Sequence, residues 1–101
     1  MKIGKYRKIY GSKYEVYIDN KTYKLYEDVI LKYNLLYKTD IDKKLFDKII
    51  EDNYNAEIYD VALKYISVRM HSIKEVTEYL KNKNYNTKDI NLTISELLSK
   101  N

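Results

Sequence analysis

The sequence predicts an α+β chain: a small N-terminal antiparallel β-meander with short helices, followed by a three-helix repeat. Three observations predict it. Between Lys5 and Leu25, residues alternate with the two-residue period of strands, interrupted by turn residues at Gly11-Ser12 and Asp19-Asn20-Lys21. From Asp42 onward apolar residues recur at steps of three and four, the spacing that lines up one face of a helix. Within that half Ser72 stands three residues before Glu75, so the hydroxyl can accept from a first-turn N–H while the carboxylate accepts from the Ser amide; this capping box fixes a helix start.

Each element follows from its residues. Tyr14, Val16 and Ile18 are expected to face inward and Lys13, Glu15, Tyr17 and Asp19 outward, with Thr22 to Leu25 returning as a third strand. So small a sheet is marginal in water and needs a cover. Asp28 to Tyr33 reads as a short helix ended by Asn34, and Asp42 caps a helix whose Leu45, Phe46, Ile49 and Ile50 form an apolar stripe. Asp52, Asn53 and Asn55 break that pattern and place a boundary, giving lobes at 1–53 and 54–101.

The second lobe then reads as helices near Ala56 to Val68, Ile73 to Lys83 and Lys88 to Ser99, the last capped by Thr87 and carrying Ile90, Ile94, Leu97 and Leu98. Its first helix is apolar on two faces. Tyr59, Ala62, Leu63, Ile66 and Met70 line one; Ile58, Val61, Tyr65 and Val68 line the other, which is expected to pack on the β lobe or a further repeat.

The stretch from Ala62 to Lys83 reads A-L-x-Y-I-S-x-R-x-H-S-x-x-E-V-x-x-Y-L-x-x-K. It resembles the helical repeats of the RecX family of bacterial recombination regulators, with Ala62, Leu63, Tyr65, Arg69, Ser72, Glu75, Leu80 and Lys83 in register. The family's usual Gly after the Lys is Asn84, the next most tolerated residue in a left-handed helix stop, and His71 stands where a basic residue is common. Family members look like a short β-rich region followed by several helical repeats, of which this chain has room for one. The resemblance implies a regulator of the RecA recombinase that binds the RecA filament and the single-stranded DNA within it, in recombination, DNA repair and the SOS response.

Composition narrows the classes further. Lys, Asn, Tyr and Ile make up about half of the 101 residues, as A/T-rich coding would produce, so the 13 tyrosines alone carry no functional meaning. Cys is absent, which removes disulfides and thiolate metal sites and fits a reducing, cytoplasmic setting; no apolar run is long enough to span a membrane. The net charge of +4 is unevenly placed: residues 1–24 carry +5, residues 40–60 carry −4 and residues 61–101 carry +3. That distribution suits a partner presenting both phosphate and protein surface.

No enzyme is indicated. With one His, no Cys and two glycines, neither a metal site, a nucleophile triad nor a phosphate-cradling loop can be nominated, and no cofactor or small-molecule substrate is expected. The pairs Asp40 with Asp42 and Glu51 with Asp52 read as capping and solvated carboxylates, and His71 as a solvent-facing junction residue. Arg69, at a helix end, is placed to favour exposed carbonyls. The candidate nucleic-acid or filament contacts are Lys5, Arg7, Lys8, Lys13, Arg69 and His71; the first four, interleaved with Tyr6, Tyr10, Tyr14 and Tyr17, can serve phosphates and bases or simply protect a sheet edge. Two rival readings are a helix-turn-helix DNA binder built from Ile73 to Lys83 and Lys88 to Ser99, and a plain protein-interaction domain. The last helix is electrically near neutral, which disfavours a major-groove reader.

Overall fold

The structure, a computed structural model, describes residues 1–100. Its strands are β1 (Ile3–Lys8), β2 (Lys13–Ile18) and β3 (Lys21–Tyr26), and its helices α1 (Glu27–Lys32), α2 (Lys43–Ile66), α3 (Ile73–Asn82) and α4 (Thr87–Ser99). A 3₁₀ turn at Leu35–Tyr37, which no periodicity announces, sits between α1 and α2. The chain divides into two compact units, Met1–Tyr54 and Asn55–Asn101, and α2 contributes residues to both.

In the first unit the strands form an antiparallel meander in the order β1-β2-β3. Asp19 and Asn20 both take positive φ, 50° and 68°, which makes a two-residue hairpin turn whose twist matches that of the strands. Asn34 is likewise left-handed, which is how it stops α1. The inner face of the sheet places Val16, Ile18 and Leu25 in a core with Val29, Ile30, Leu35, Ile41 and Ile49, all buried. Each such side chain contributes about 1.5–3 kcal/mol by leaving water. Asp42 caps α2 as read, accepting from Leu45 N at 2.7 Å.

α2 does not break at residues 52–55, and the reason is where those polar side chains go. Asn53 Oδ1 accepts from Tyr26 N at 2.8 Å, and its Nδ2 donates to Lys24 O at 3.0 Å, so one amide satisfies both edges of β3's last turn of chain. Asp52 accepts from Lys32 Nζ at 2.8 Å and from the Tyr33 hydroxyl. Burial alone would raise the Asp52 pKa, but these two donors hold it below the usual carboxylate value. Residues that weaken a helix in isolation are here the helix's long-range hydrogen-bonding face.

In the second unit Ile58, Ala62, Val76, Leu80, Ile90 and Leu97 form one buried cluster, with Tyr59, Val61, Tyr65, Ile66, Tyr79, Tyr85 and Ile94 packed against it. The two faces expected on α2 are therefore one. At 100° per residue the positions from Val61 round to Tyr59 span an arc of roughly 160°, which α3 and α4 together can cover. Ile58, Val61 and Tyr65 serve this unit's own core. Leu63 is 41% exposed, and Met70 and Val68 fall beyond the end of α2, where helical spacing no longer applies.

The caps of α3 match the sequence and that of α4 shifts by one. Ser72 and Glu75 form the complete capping box, and Asn84 takes φ 69° after α3. α4 is capped by Asn86, not Thr87: Asn86 Oδ1 accepts from Asp89 N at 2.8 Å while its Nδ2 donates to Asp89 Oδ2.

Candidate functional site

Two surfaces hold the residues singled out in the sequence, one on each unit. On the helical unit, residues 67–72 join α2 to α3 without Gly or Pro, and the Glu75 carboxylate organises them. Its Oε1 accepts from Ser72 N at 3.1 Å; its Oε2 lies 3.3 Å from Arg69 Nη2 and 3.4 Å from His71 Nδ1. The Ser72 amide, then His71 and Arg69, hold the Glu75 pKa below its ordinary value. Arg69 also donates from Nη1 to Met70 O at 3.2 Å, so its charge is spent on the connection and not on the last carbonyls of α2.

His71 is not solvent-facing. Its side chain is 3% exposed, because the ring stacks on Tyr65 at 3.9 Å between centroids. Tyr65 stacks in turn on Tyr79 at 3.8 Å, and Lys83 Nζ stands 5.1 Å from the Tyr79 centroid. Four motif positions thus form a column of rings with a cation beside it, joining α2, the connection and α3. No spacing announces this column, since its ring positions are not related by helical period. The column holds the connection in one shape, which leaves Val68 (81% exposed) and Met70 (93%) standing out beside Arg69. Next to them Ile73 and Leu98 are exposed around a shallow depression floored by Ile66, Val76, Ile94 and Leu97. An apolar patch beside a guanidinium is the kind of surface a protein partner covers.

On the sheet unit the structure separates the four predicted basic residues. Arg7 pairs across to Glu15 and Glu15 to Lys24, so Arg7 and Lys24 share the uncovered face with Lys5 and Tyr17. Arg7 Nη2 donates to Glu15 Oε1 at 3.0 Å. Lys8 pairs with Tyr14 and lies on the opposite face. Lys13, half-buried, directs its ammonium over the rings of Tyr10 and Tyr26 at 5.5 and 5.3 Å. Among the described residues Lys2, Lys5 and Lys24 have no carboxylate partner within ion-pair distance, so three ammonium groups are available to a polyanion. Among the described residues no group of three metal-ligating side chains occurs, and no helix is long and apolar enough to cross a membrane.

Comparison with known proteins agrees with the second unit's geometry. Residues 59–97 match the family model of RecX, first three-helix domain. A solved structure described as the crystal structure of regulatory protein RecX superposes with a TM-score of 0.83 at 23% identity, over 98% of this chain and 50% of that one. The chain thus spans half the length of that structure, and the likeness extends the shared fold to the β-meander. No curated protein matches the sequence.

Proposed function

On the premise that this chain carries the first three-helix domain of the RecX family within a RecX-like fold, we propose that it is a non-enzymatic regulator of the RecA recombinase. It binds the RecA filament on single-stranded DNA and thereby modulates strand exchange and ATP hydrolysis, a role in recombination and DNA repair under the SOS response. The observation that carries this reading is the match of residues 59–97, centred on the connection that Glu75 and the His71–Tyr65–Tyr79 column hold in shape. The helical unit meets the protein through Val68, Arg69, Met70 and Ile73, where exposed apolar groups flank one cation. His71 acts by positioning this connection. Lys5 and Arg7 on the sheet serve the strand, with Lys8 on the opposite face and Lys13 held over the Tyr10 and Tyr26 rings as weaker contributors.

Sedimentation of the chain with RecA filaments assembled on single-stranded DNA tests the reading. Co-sedimentation is expected for the wild type and should fall about tenfold or more for the double variant Met70→Ser, Ile73→Ser, since small clusters dominate interface energies. Absence of the wild-type chain from the filament pellet at low salt would overturn the proposal. The near-neutral α4, whose Lys100 is engaged by Glu96 at 3.3 Å, gives no support to a helix-turn-helix reader of duplex DNA.

A further inference from the structure

We propose that the uncovered face of the sheet is a stacking site for one unpaired base of a single-stranded nucleic acid, with Tyr17 as the platform and Lys2, Lys5 and Lys24 as phosphate contacts. The proposal adds a strand contact to the reading above and is tested without the recombinase, so either can fail alone.

Gly4 is the first observation. A glycine inside a strand weakens it, and such residues mark bulges or places where another backbone or ligand approaches closely. The pairing of β1 with β2 shifts register between Ile3 and Tyr6, so Gly4 lies at a bulge. The backbone there still does not demand a glycine, because Gly4 lacks the positive φ that would exclude other residues. Sterics do not demand one either, since a Cβ at Gly4 would meet Tyr17 Cβ at 3.5 Å, ordinary contact. What the missing side chain does is leave the space beside the Tyr17 ring open, in a depression lined by Lys2, Gly4, Lys5, Tyr17, Asp19 and Asn20. A longer residue at position 4 would fill it.

The second observation is the company of that ring. Tyr17 is 43% exposed on the side of β2 opposite the buried Val16 and Ile18, and among the described residues no other ring stacks on it. Around it stand Lys2 and Lys5 in the same depression and Lys24 one cross-strand step beyond. The two carboxylates of this face are engaged. Glu15 accepts from Arg7 at 3.0 Å, and Asp19 accepts from Lys2 N at 2.8 Å. Arg7 offsets Glu15, and Asp19 keeps its charge, so with Lys2, Lys5 and Lys24 the face stays net positive, which selects a polyanion. An open aromatic face among ammonium groups selects an anion that also carries flat rings. A duplex keeps its base faces stacked inside, so an unpaired strand is the ligand that satisfies both.

Fluorescence anisotropy of an end-labelled oligothymidylate, titrated with the full chain at low salt, decides the matter. The wild type should bind, and duplex of the same length should bind several-fold more weakly. Tyr17→Thr, which keeps a strand-favouring residue, should lose about tenfold, as should Gly4→Leu, while Tyr17→Phe should retain binding. Lys5→Ser with Lys24→Ser should reduce the slope of log affinity against log salt by about 1.4, from about 0.7 per lost phosphate contact. Circular dichroism confirms that each variant is folded; if Tyr17→Thr is not, Gly4→Leu carries the decision. Wild-type affinity in both variants, equal binding of duplex, equal binding of anionic phosphatidylserine vesicles, or no binding of the oligomer would each overturn the proposal.

Discussion

The sheet unit and the helical unit use polar residues in opposite ways. In the first, side chains distant in sequence close the structure: Asn53 reaches 27 residues back to Tyr26 and Asp52 reaches Lys32 and Tyr33. In the second, most polar groups act within a few residues of themselves, as in the Ser72–Glu75 box and the Asn86–Asp89 exchange. The long reach there, from the Tyr85 hydroxyl to Glu57 Oε2 at 2.9 Å, joins two side chains and not strand backbone. A three-helix core can rely on local caps because all three helices meet over buried apolar residues. A three-stranded meander has too little apolar surface for that, and long-range hydrogen bonds to its backbone supply the remainder. The same contrast separates the two surfaces, a shaped apolar patch on the helices and an open basic face on the sheet.

Several substitutions sharpen this contrast, the largest in the helical core. Leu80 is wholly buried, and Leu80→Ala should cost about 3–5 kcal/mol in chemical denaturation, as cavity-forming changes do. Asn53→Ala removes the hydrogen bonds to the Tyr26 amide and the Lys24 carbonyl, for about 2–3 kcal/mol, although it replaces a poor helix former by the best one. A gain in stability there would show that the long-range bonds do not close the sheet unit. Ser72→Ala should cost about 1 kcal/mol, the ordinary worth of a helix cap.

Acid tests the sheet unit separately. Because the folded Asp52 pKa lies below its ordinary value, its contribution is present above the usual carboxylate range and lost as pH falls through the folded value. Asp52→Asn should therefore flatten the loss of stability on acidification, measured by denaturant titration at several acidic pH values. An unchanged acid limb would mean that the Lys32 and Tyr33 contacts do not hold in solution. The smallest expected effect is on fold: replacing Lys5, Arg7 and Lys8 by Ser should leave stability within about 0.5 kcal/mol, as surface changes do, while weakening any binding to strand or filament and lowering its salt dependence.

Local chemistry made much of this legible in the sequence. The strand period, the left-handed Asp19-Asn20 and Asn34 and the capping box are short-range signals, and the structure carries each of them. The continuity of α2 was not legible, because Asp52 and Asn53 look like breakers until the strand backbone they serve is in place. His71 misled for the same reason: its burial depends on Tyr65 and Tyr79, and no spacing rule connects the three. Thr87 and Asn86 are both good caps, and only the reply from Asp89 decides between them. The sheet's pairing register, which places Arg7 with Lys24 and sends Lys8 to the other side, also required the fold.

The division of labour between the two surfaces is the central claim, and the salt dependence of filament binding tests it most directly. Affinity for the RecA filament on single-stranded DNA would be measured across a range of salt for the wild type, for Lys5→Ser with Lys24→Ser, and for Met70→Ser with Ile73→Ser. The account predicts that the sheet variant lowers the salt slope, because phosphate contacts are lost. It predicts that the helical variant loses affinity at an unchanged slope, because apolar contact with protein is lost. Equal slopes in all three proteins, or a reduced slope in the helical variant alone, would contradict it.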